Sequence, residues 1–382
     1  MFAQMDGARD TAKPAGDPRL PPFFALLCFL LLTGATACSP GRTLAGVMLR
    51  APNTYPDWLA PPARVTLRLP KALLTNLPSE RIEVGPPPAR LWVGLVRPGD
   101  YQSRFVSTNR PCGSRREFSF SMRAVFPPQP LGGNHDAPTT AGALPAPGAR
   151  PTTVGARGTV FLLHGYGVDS LSMLPWAVVV AEAGYEAVLV DLRGHGESTG
   201  RRIGFGTMEV GDLRQVLDHL VATHQAPGPV AVMGESLGAA LALRWAASDS
   251  RLATVIAFAP YAELESAIVG IRDDYAAWLP RAWVRSAARR LPDLLEVRPE
   301  SLDTSAHVDG LMTPTLLVAA GHDGIAPPPA VGRLARLCAG PVKYVMLDGA
   351  QHENLPYHFS ELRARVLEWL EAYCRSGHSS DR

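Results

Sequence analysis

Beyond Gly158 the chain alternates between short apolar runs and longer amphipathic stretches. The runs Thr159–Leu163, Ala187–Val190, Val255–Phe258, Thr315–Ala319 and Val342–Leu347 read as strands, the first of them buried. Val230–Met233 is another, and small and apolar residues at helical spacing follow it as far as Trp245. Leu171–Ala183, Met208–Thr223, Val331–Leu337 and Ser360–Tyr373 carry helical periodicity, and a long helical insertion follows Phe258. Strands alternating with helices predict an α/β fold built on a mainly parallel sheet with helices on both faces. In such a sheet functional groups gather at the carboxyl ends of the strands.

The pattern is weaker upstream. Val65–Leu69 and Leu91–Val96 look like strands, punctuated by Pro86-Pro87-Pro88 and Pro98-Gly99. Phe118–Phe126 alternates apolar and polar positions, ends at Pro127-Pro128, and is expected to be an early strand of the main sheet. Residues 127–158 are rich in Pro, Gly, Ala and Thr, a composition that predicts a flexible loop. The expected organisation is therefore a partly β extension of unclear role over 38–115 and the α/β domain over 116–376.

Residues 1–37 read as an export signal. Arg9, Lys13 and Arg19 precede the apolar run Phe23–Leu32, and small residues follow up to Ala37. The run is too short to span a bilayer, and Asp6, Asp10 and Asp17 dilute the positive end. Two endings fit. Ala35-Thr36-Ala37 suits ordinary secretion to a soluble or periplasmic state. Ala37-Cys38 resembles a bacterial lipoprotein box, although Ala35 stands where such boxes usually carry leucine. The lipoprotein ending is preferred, because a cysteine at this one position is otherwise hard to explain. That resemblance implies lipidation of Cys38, and Ser39 in second place implies sorting to the outer membrane.

Composition narrows the remaining options. The apolar content of 46% supports a sizeable core, and a formal charge of +2 points to no nucleic-acid partner. With Cys28 in the signal and Cys38 set aside, Cys112, Cys338 and Cys374 remain. They show no metal-ligand spacing and allow at most one disulfide, whose pairing the sequence leaves open.

Candidate chemistry centres on Gly234-Glu235-Ser236-Leu237-Gly238, a sharp turn from strand to helix with a serine at its apex. A chain that reverses this tightly leaves no room for side chains two positions either side of the apex. The turn also leaves the Leu237 amide at a helix N-terminus, where developing negative charge is favoured. A serine hydroxyl needs a base within hydrogen-bond reach, and an imidazole base needs a carboxylate to fix its tautomer. Asp323 lies just past the Thr315 strand and His352 just past the Val342 strand, in the order Ser, Asp, His. Asp348 is the rival acid, nearer His352 in sequence but placed where a carboxylate usually shapes a turn.

From about Phe118 onward the chain resembles the α/β-hydrolases, and is most similar to the monoglyceride lipase, lysophospholipase and serine aminopeptidase group. The motifs that carry the likeness are HGYG (164–167), DLRGHGES (191–198), GESLGAALAL (234–243), TPTLLVAAGHDGIAP (313–327) and LDGAQHENL (347–355). One departure is the single residue between Gly321 and Asp323, where the family more often has two. The resemblance implies an α/β-hydrolase fold without cofactor or metal, and a Ser236–Asp323–His352 triad. It implies an oxyanion hole from the amides of Tyr166 and Leu237, with His164 structural. Asp191, Arg193 and His195 are expected to brace a loop, Glu235 to be a satisfied polar residue beneath the turn, and His358 to lie at the surface. A cap is implied over 262–309, with Ala276–Leu291 helical and broken by Pro280. Arg281, Arg285 and Arg289 share a face there, either as a solvated stripe or as contacts for an anionic substrate or lipid headgroup. The expected activity is hydrolysis of carboxylic esters on small-molecule or lipid substrates. Peptidase or thioesterase chemistry, and a catalytically idle binding protein, are the alternatives. A dehalogenase or an epoxide hydrolase would need aspartate in place of Ser236.

Overall fold

The computed structural model describes residues 40–55, 65–69, 77–99, 101–112, 115–125 and 155–375. Residues 1–37, read above as an export signal, Cys38 and most of the loop expected over 127–158 lie outside the described residues. In chain order the elements are α1 (Pro40–Met48), β1 (Val65–Arg68), β2 (Ser79–Val84), β3 (Ala89–Val96), β4 (Gln102–Cys112) and β5 (Arg115–Val125). There follow β6 (Thr159–Leu163), α2 (Leu174–Glu182), β7 (Glu186–Val190), α3 (Glu209–Ala222), β8 (Val230–Glu235), α4 (Leu237–Ala246) and β9 (Leu252–Phe258). The rest are α5 (Leu264–Tyr275), α6 (Arg281–Ala288), α7 (Leu291–Leu295), α8 (Ser305–Val308), β10 (Thr315–His322), α9 (Pro328–Leu337), β11 (Val342–Gln351) and α10 (Phe359–Tyr373).

Eight strands form one sheet in the order β11-β10-β9-β8-β6-β7-β3-β2. From β6 to β11 every pairing is parallel, while β3 runs antiparallel to β7 and β2 antiparallel to β3. Strands β6, β7 and β8 are buried at every position, which is why they read as unbroken apolar runs: helices cover both of their faces. The chain adds β7 on one side of β6 and then returns to add β8 on the other. A crevice opens at such a reversal, flanked by the loops that leave β6 and β8.

Two upstream expectations are corrected. The alternating run at Phe118 is not an early strand of the main sheet; as β5 it sits between β1 and β4 in a separate three-stranded sheet. Alternation suits a sheet with one buried face. Phe118, Phe120 and Met122 are buried on that face, and Phe105, Phe118 and Phe120 pack against Tyr357 and Phe359 where the chain enters α10, the closest pair being Phe105 and Phe359 at 4.4 Å. The β2–β3 hairpin, assigned to the extension, instead completes the main sheet, with Val93 opposite Val190. The boundary at 115/116 therefore cuts through the sheet.

The insertion over 262–309 folds as helices α5 to α8, but not as one helix broken at Pro280. Its first helix ends at Tyr275, and Pro280 caps the next. A residue ahead of proline is held out of helical geometry. Arg272 secures the resulting loop by donating to Leu279 O (2.6 Å) and to Ala277 O. Among the described residues no helix is long and apolar enough to cross a membrane, and Cys338 and Cys374 are free thiols.

Candidate active site

The β8–α4 turn is as tight as its glycines require. A Cβ on Gly234 would stand 2.4 Å from the Gly238 backbone, and one on Gly238 would stand 2.3 Å from Leu163 O. Ser236 itself has φ 51° and ψ −112°, a strained conformation that costs on the order of 1–3 kcal/mol. Its amide donates to Phe258 O (2.8 Å), which locks the turn to the end of β9. The side chain is thereby lifted off the sheet edge toward the β10 and β11 exits.

Asp323 follows β10 directly, and its side chain has no solvent exposure. Oδ1 accepts from the amides of Ile325 (2.8 Å) and Ala326 (2.7 Å), so the carboxylate is oriented by its own loop. Oδ2 accepts from His352 Nδ1 at 2.7 Å, and His352 Nε2 accepts from the Ser236 hydroxyl at 2.8 Å. Burial pulls the imidazole pKa down, but the charge of Asp323 and its hydrogen bond outweigh that and raise it above the ordinary value. The structure thus brings Ser236, His352 and Asp323 into one hydrogen-bonded chain. Asp348 stays outside it, exposed on β11.

Two cavities meet at Ser236. The larger, about 190 Å³, is walled by Met48, Phe205, Leu264, Ile268, Leu279 and Val284. The smaller, about 120 Å³, is lined by Val168, Phe258, Tyr275, His352, Glu353 and Pro356. Tyr166, Ile271 and Ile325 border both. Leu237, the first residue of α4, borders the larger, so both residues expected to supply oxyanion-hole amides stand at the serine. Glu235 lies beneath: its Oε1 accepts from the Gly165 amide (3.2 Å) and from Ser172 Oγ (2.9 Å), pinning the loop that carries Tyr166. Burial pushes its pKa up.

The remaining charged candidates serve the framework. His164 donates from Nδ1 to Gly165 O (2.7 Å) and accepts from the Leu192 amide at Nε2 (2.9 Å). Burial brings its pKa down to about 4. Asp191 accepts from the amides of Ser170 and Glu197, both at 2.8 Å. His195 donates to Arg193 O (2.9 Å), and burial, with His164 beside it, brings its pKa to about 3. Arg193 forms a buried bidentate pair with Asp212, both bonds 2.7 Å, and reaches Pro87 O (2.8 Å). His358 is half-buried, stacked on Phe118. Arg281 and Arg289 pair with Asp273 and Glu265 of α5, so they tie two cap helices together.

Sequence reasoning missed Met48, Tyr275 and Glu353. Tyr275 donates its hydroxyl to Glu353 across the smaller cavity. It continues a stripe on α5, from Leu264 through Ala267, Ile268 and Ile271, whose helical spacing was a usable signal. Among the described residues no group of His, Cys, Asp and Glu is arranged to hold a metal ion. The chemistry this arrangement can perform is acyl transfer: a hydroxyl nucleophile, a base in contact with it, and a carboxylate that orients the base.

Residues 155–306 match the family model described as serine aminopeptidase, S33. An uncharacterized protein of Mycobacterium tuberculosis, Rv2307c, is 32% identical over 206 residues, 53% of this chain and 66% of that protein. The uncharacterized YqkD of Bacillus subtilis is 25% identical over 204 residues, 51% of this chain and 64% of that protein. The match thus covers less than two thirds of either relative. Among solved structures, the Pyrococcus furiosus esterase Pf2001 superposes with a TM-score of 0.55 at 18% identity, covering 86% of this chain and 98% of that one. A likeness at that identity speaks for the shared fold.

Proposed function

We propose that the chain, which shares the α/β-hydrolase fold and matches a serine aminopeptidase family model over residues 155–306, is a serine hydrolase cleaving carboxylic esters through an acyl-enzyme on Ser236. The observation that carries this reading is the chain Ser236–His352–Asp323, with links of 2.8 and 2.7 Å at the junction of two cavities. Ser236 Oγ attacks the carbonyl carbon while His352 Nε2 takes its proton. The carbonyl oxygen becomes an oxyanion facing the amides of Tyr166 and Leu237, where losing one such donor costs on the order of 100- to 1000-fold. The tetrahedral intermediate collapses, and the alcohol leaves with the proton from His352. Water, deprotonated by the same imidazole, then attacks the acyl-enzyme and releases the acid, restoring the Ser236 hydroxyl. Asp323 stays ionised throughout and stabilises the imidazolium. The match to an aminopeptidase family model keeps amide cleavage as the second reading, since the same groups would serve it.

The same reading includes export and a lipid anchor on Cys38, supported by Ala37-Cys38-Ser39 after an apolar run. The first described helix begins at Pro40, so an anchor there would sit beside α1. Labelling fractionated cells with a fluorophosphonate probe tests both parts. Wild-type protein should label in the membrane fraction and hydrolyse p-nitrophenyl esters faster than aminoacyl p-nitroanilides. Ser236→Ala should lose labelling and on the order of 10⁶-fold in turnover, and Cys38→Ser should label in the soluble fraction. Labelling retained in Ser236→Ala would sink the nucleophile assignment; a soluble wild-type protein would sink the anchor.

A further inference from the structure

Helix α1 lies nearly two hundred residues before Ser236 in sequence, on the order of a whole domain's length, yet it borders the same cavity. It also lies upstream of residues 155–306, which the family model covers. The helix packs on α6 and α7 of the cap. Gly41 comes so close to α6 that a Cβ there would stand 2.4 Å from Ser286 Oγ, and Ala45 and Leu49 are buried beneath it. The chain after the helix is stitched to the loop beyond β7. Ile203 N donates to Leu49 O (2.9 Å), Ala51 N to Arg201 O (3.2 Å) and Asn53 N to Gly194 O (3.0 Å). Asn53 Nδ2 donates to Gly196 O (3.1 Å) and Ser198 O (2.9 Å). Tyr55 donates its hydroxyl to Val47 O (2.5 Å) and is in hydrogen-bond contact with the hydroxyl of Tyr166, the residue beside the serine.

We propose that residues 40–55 are a structural wall of the substrate cavity and that Met48 limits the length of hydrocarbon chain the cavity accepts. The inference rests on the serine-hydrolase reading for the meaning of that cavity, but not for its shape. Met48 lines the cavity together with Leu264 and Ile268 of α5, Phe205 and Val284, and the lining is apolar apart from Ser236, Arg272 and the tyrosines. Arg272 is committed to Leu279 O and Asp273. A cavity of this character takes an alkyl chain, by burial of its methylenes. A flexible thioether is suited to closing the irregular gap between a cap helix and a loop. The segment is tied to both sides of the cavity: α1 packs on the cap through α6, while Tyr55 holds it to the loop that carries Tyr166.

Two series of probes test this. p-Nitrophenyl esters from acetate to laurate report turnover, and the matching free fatty acids, titrated by calorimetry into Ser236→Ala protein, report binding without chemistry. Affinity should rise roughly fourfold per added methylene until the cavity is full, and then level off. In Met48→Trp the plateau should come at a shorter chain, and in Met48→Ala at a longer one. The laurate-to-acetate ratio of kcat/KM should fall and rise accordingly, each methylene that no longer fits costing about fourfold. A plateau and a ratio unmoved in both variants would overturn the proposal, even in an active esterase. A plateau that moves in a protein that cleaves no ester keeps the wall and overturns the serine-hydrolase reading instead.

Discussion

Two histidine–aspartate neighbourhoods share the carboxyl end of one sheet, and they differ in where their hydrogen-bond chains end. Behind β6 and β7, His164 and Asp191 end on backbone groups: Gly165 O, and the amides of Leu192, Ser170 and Glu197. Behind β10 and β11, the chain from Asp323 through His352 ends on a hydroxyl that borders two cavities. The rings respond oppositely. Burial without a facing carboxylate takes His164 to about 4, so it is neutral near pH 7. His352 is also desolvated, yet Asp323 carries it above its ordinary value. The same two residue types therefore make a brace in one place and, on the proposed reading, a base in the other. What separates them is whether the outer imidazole nitrogen is committed to the backbone or faces a space a substrate can enter.

The largest effect should come from breaking the second neighbourhood at its carboxylate. In Asp323→Asn the side-chain oxygen can still accept from Ile325 and Ala326, so the loop holds. Its amide then presents an N–H to His352 Nδ1, which favours the tautomer that cannot accept from Ser236. The serine-protease precedent puts the loss in kcat at about 10⁴-fold. The measurement is kcat on one good ester, with circular dichroism to show the fold intact. Activity within about tenfold of wild type would remove Asp323 from its assigned role.

A smaller effect sharpens the contrast between the histidines. Acylation needs neutral His352, so kcat/KM should fall about tenfold per pH unit below the pKa of that ring in the free enzyme. Because Asp323 raises this pKa, the acid limb should begin above the ordinary value of 6.5. His164 and His195 should not shape the limb, since they take protons only near 4 and 3. In Asp323→Asn the raising influence is gone while burial remains, so the limb of the residual activity should move to lower pH. A limb that stays in place in that variant would mean the titrating base is not the imidazole paired with Asp323.

The parts of this site that were legible in the sequence are those made by local geometry. A strand that turns straight into a helix must have glycines at 234 and 238, and Ser236 and Asp323 each follow an apolar run that the sheet buries, while His352 follows the largely exposed edge strand β11. Partner choice is not local. Phe118 and Leu91 both mark strands, but only β3 joins β7, while β5 turns Phe118 toward Tyr357, a residue far along the chain. The same holds for α1, whose short apolar stripe gives no hint that α6, far along the chain, is its neighbour. The cap helix boundary was misplaced for a different reason. Pro280 was read as a break within a helix, when proline sits as readily at the start of one.

The smallest effect is expected at the second acid beside His352, and it tests the comparison from the opposite side. Asp348 is four residues before the imidazole, and sequence proximity alone would pair them. The structure gives Asp348 a different task. Its backbone packs against Gly321, so closely that a Cβ on the glycine would stand 2.6 Å from Asp348 O, while the residue itself is exposed. What matters there is the main chain of β11, which an isosteric substitution leaves alone. An exposed carboxylate also acts on the ring only through screened, high-dielectric space, and its influence weakens further as salt is added. Asp348→Asn should therefore change kcat by less than about tenfold and leave the acid limb where it was, because that limb is set by the buried partner. Kinetics on the same ester and buffers used for Asp323→Asn check this. If Asp348→Asn proved the inactive variant while Asp323→Asn kept its rate, the base would be drawing its orientation from the exposed acid, and the distinction between a backbone-held brace and a carboxylate-held base would fail at this site.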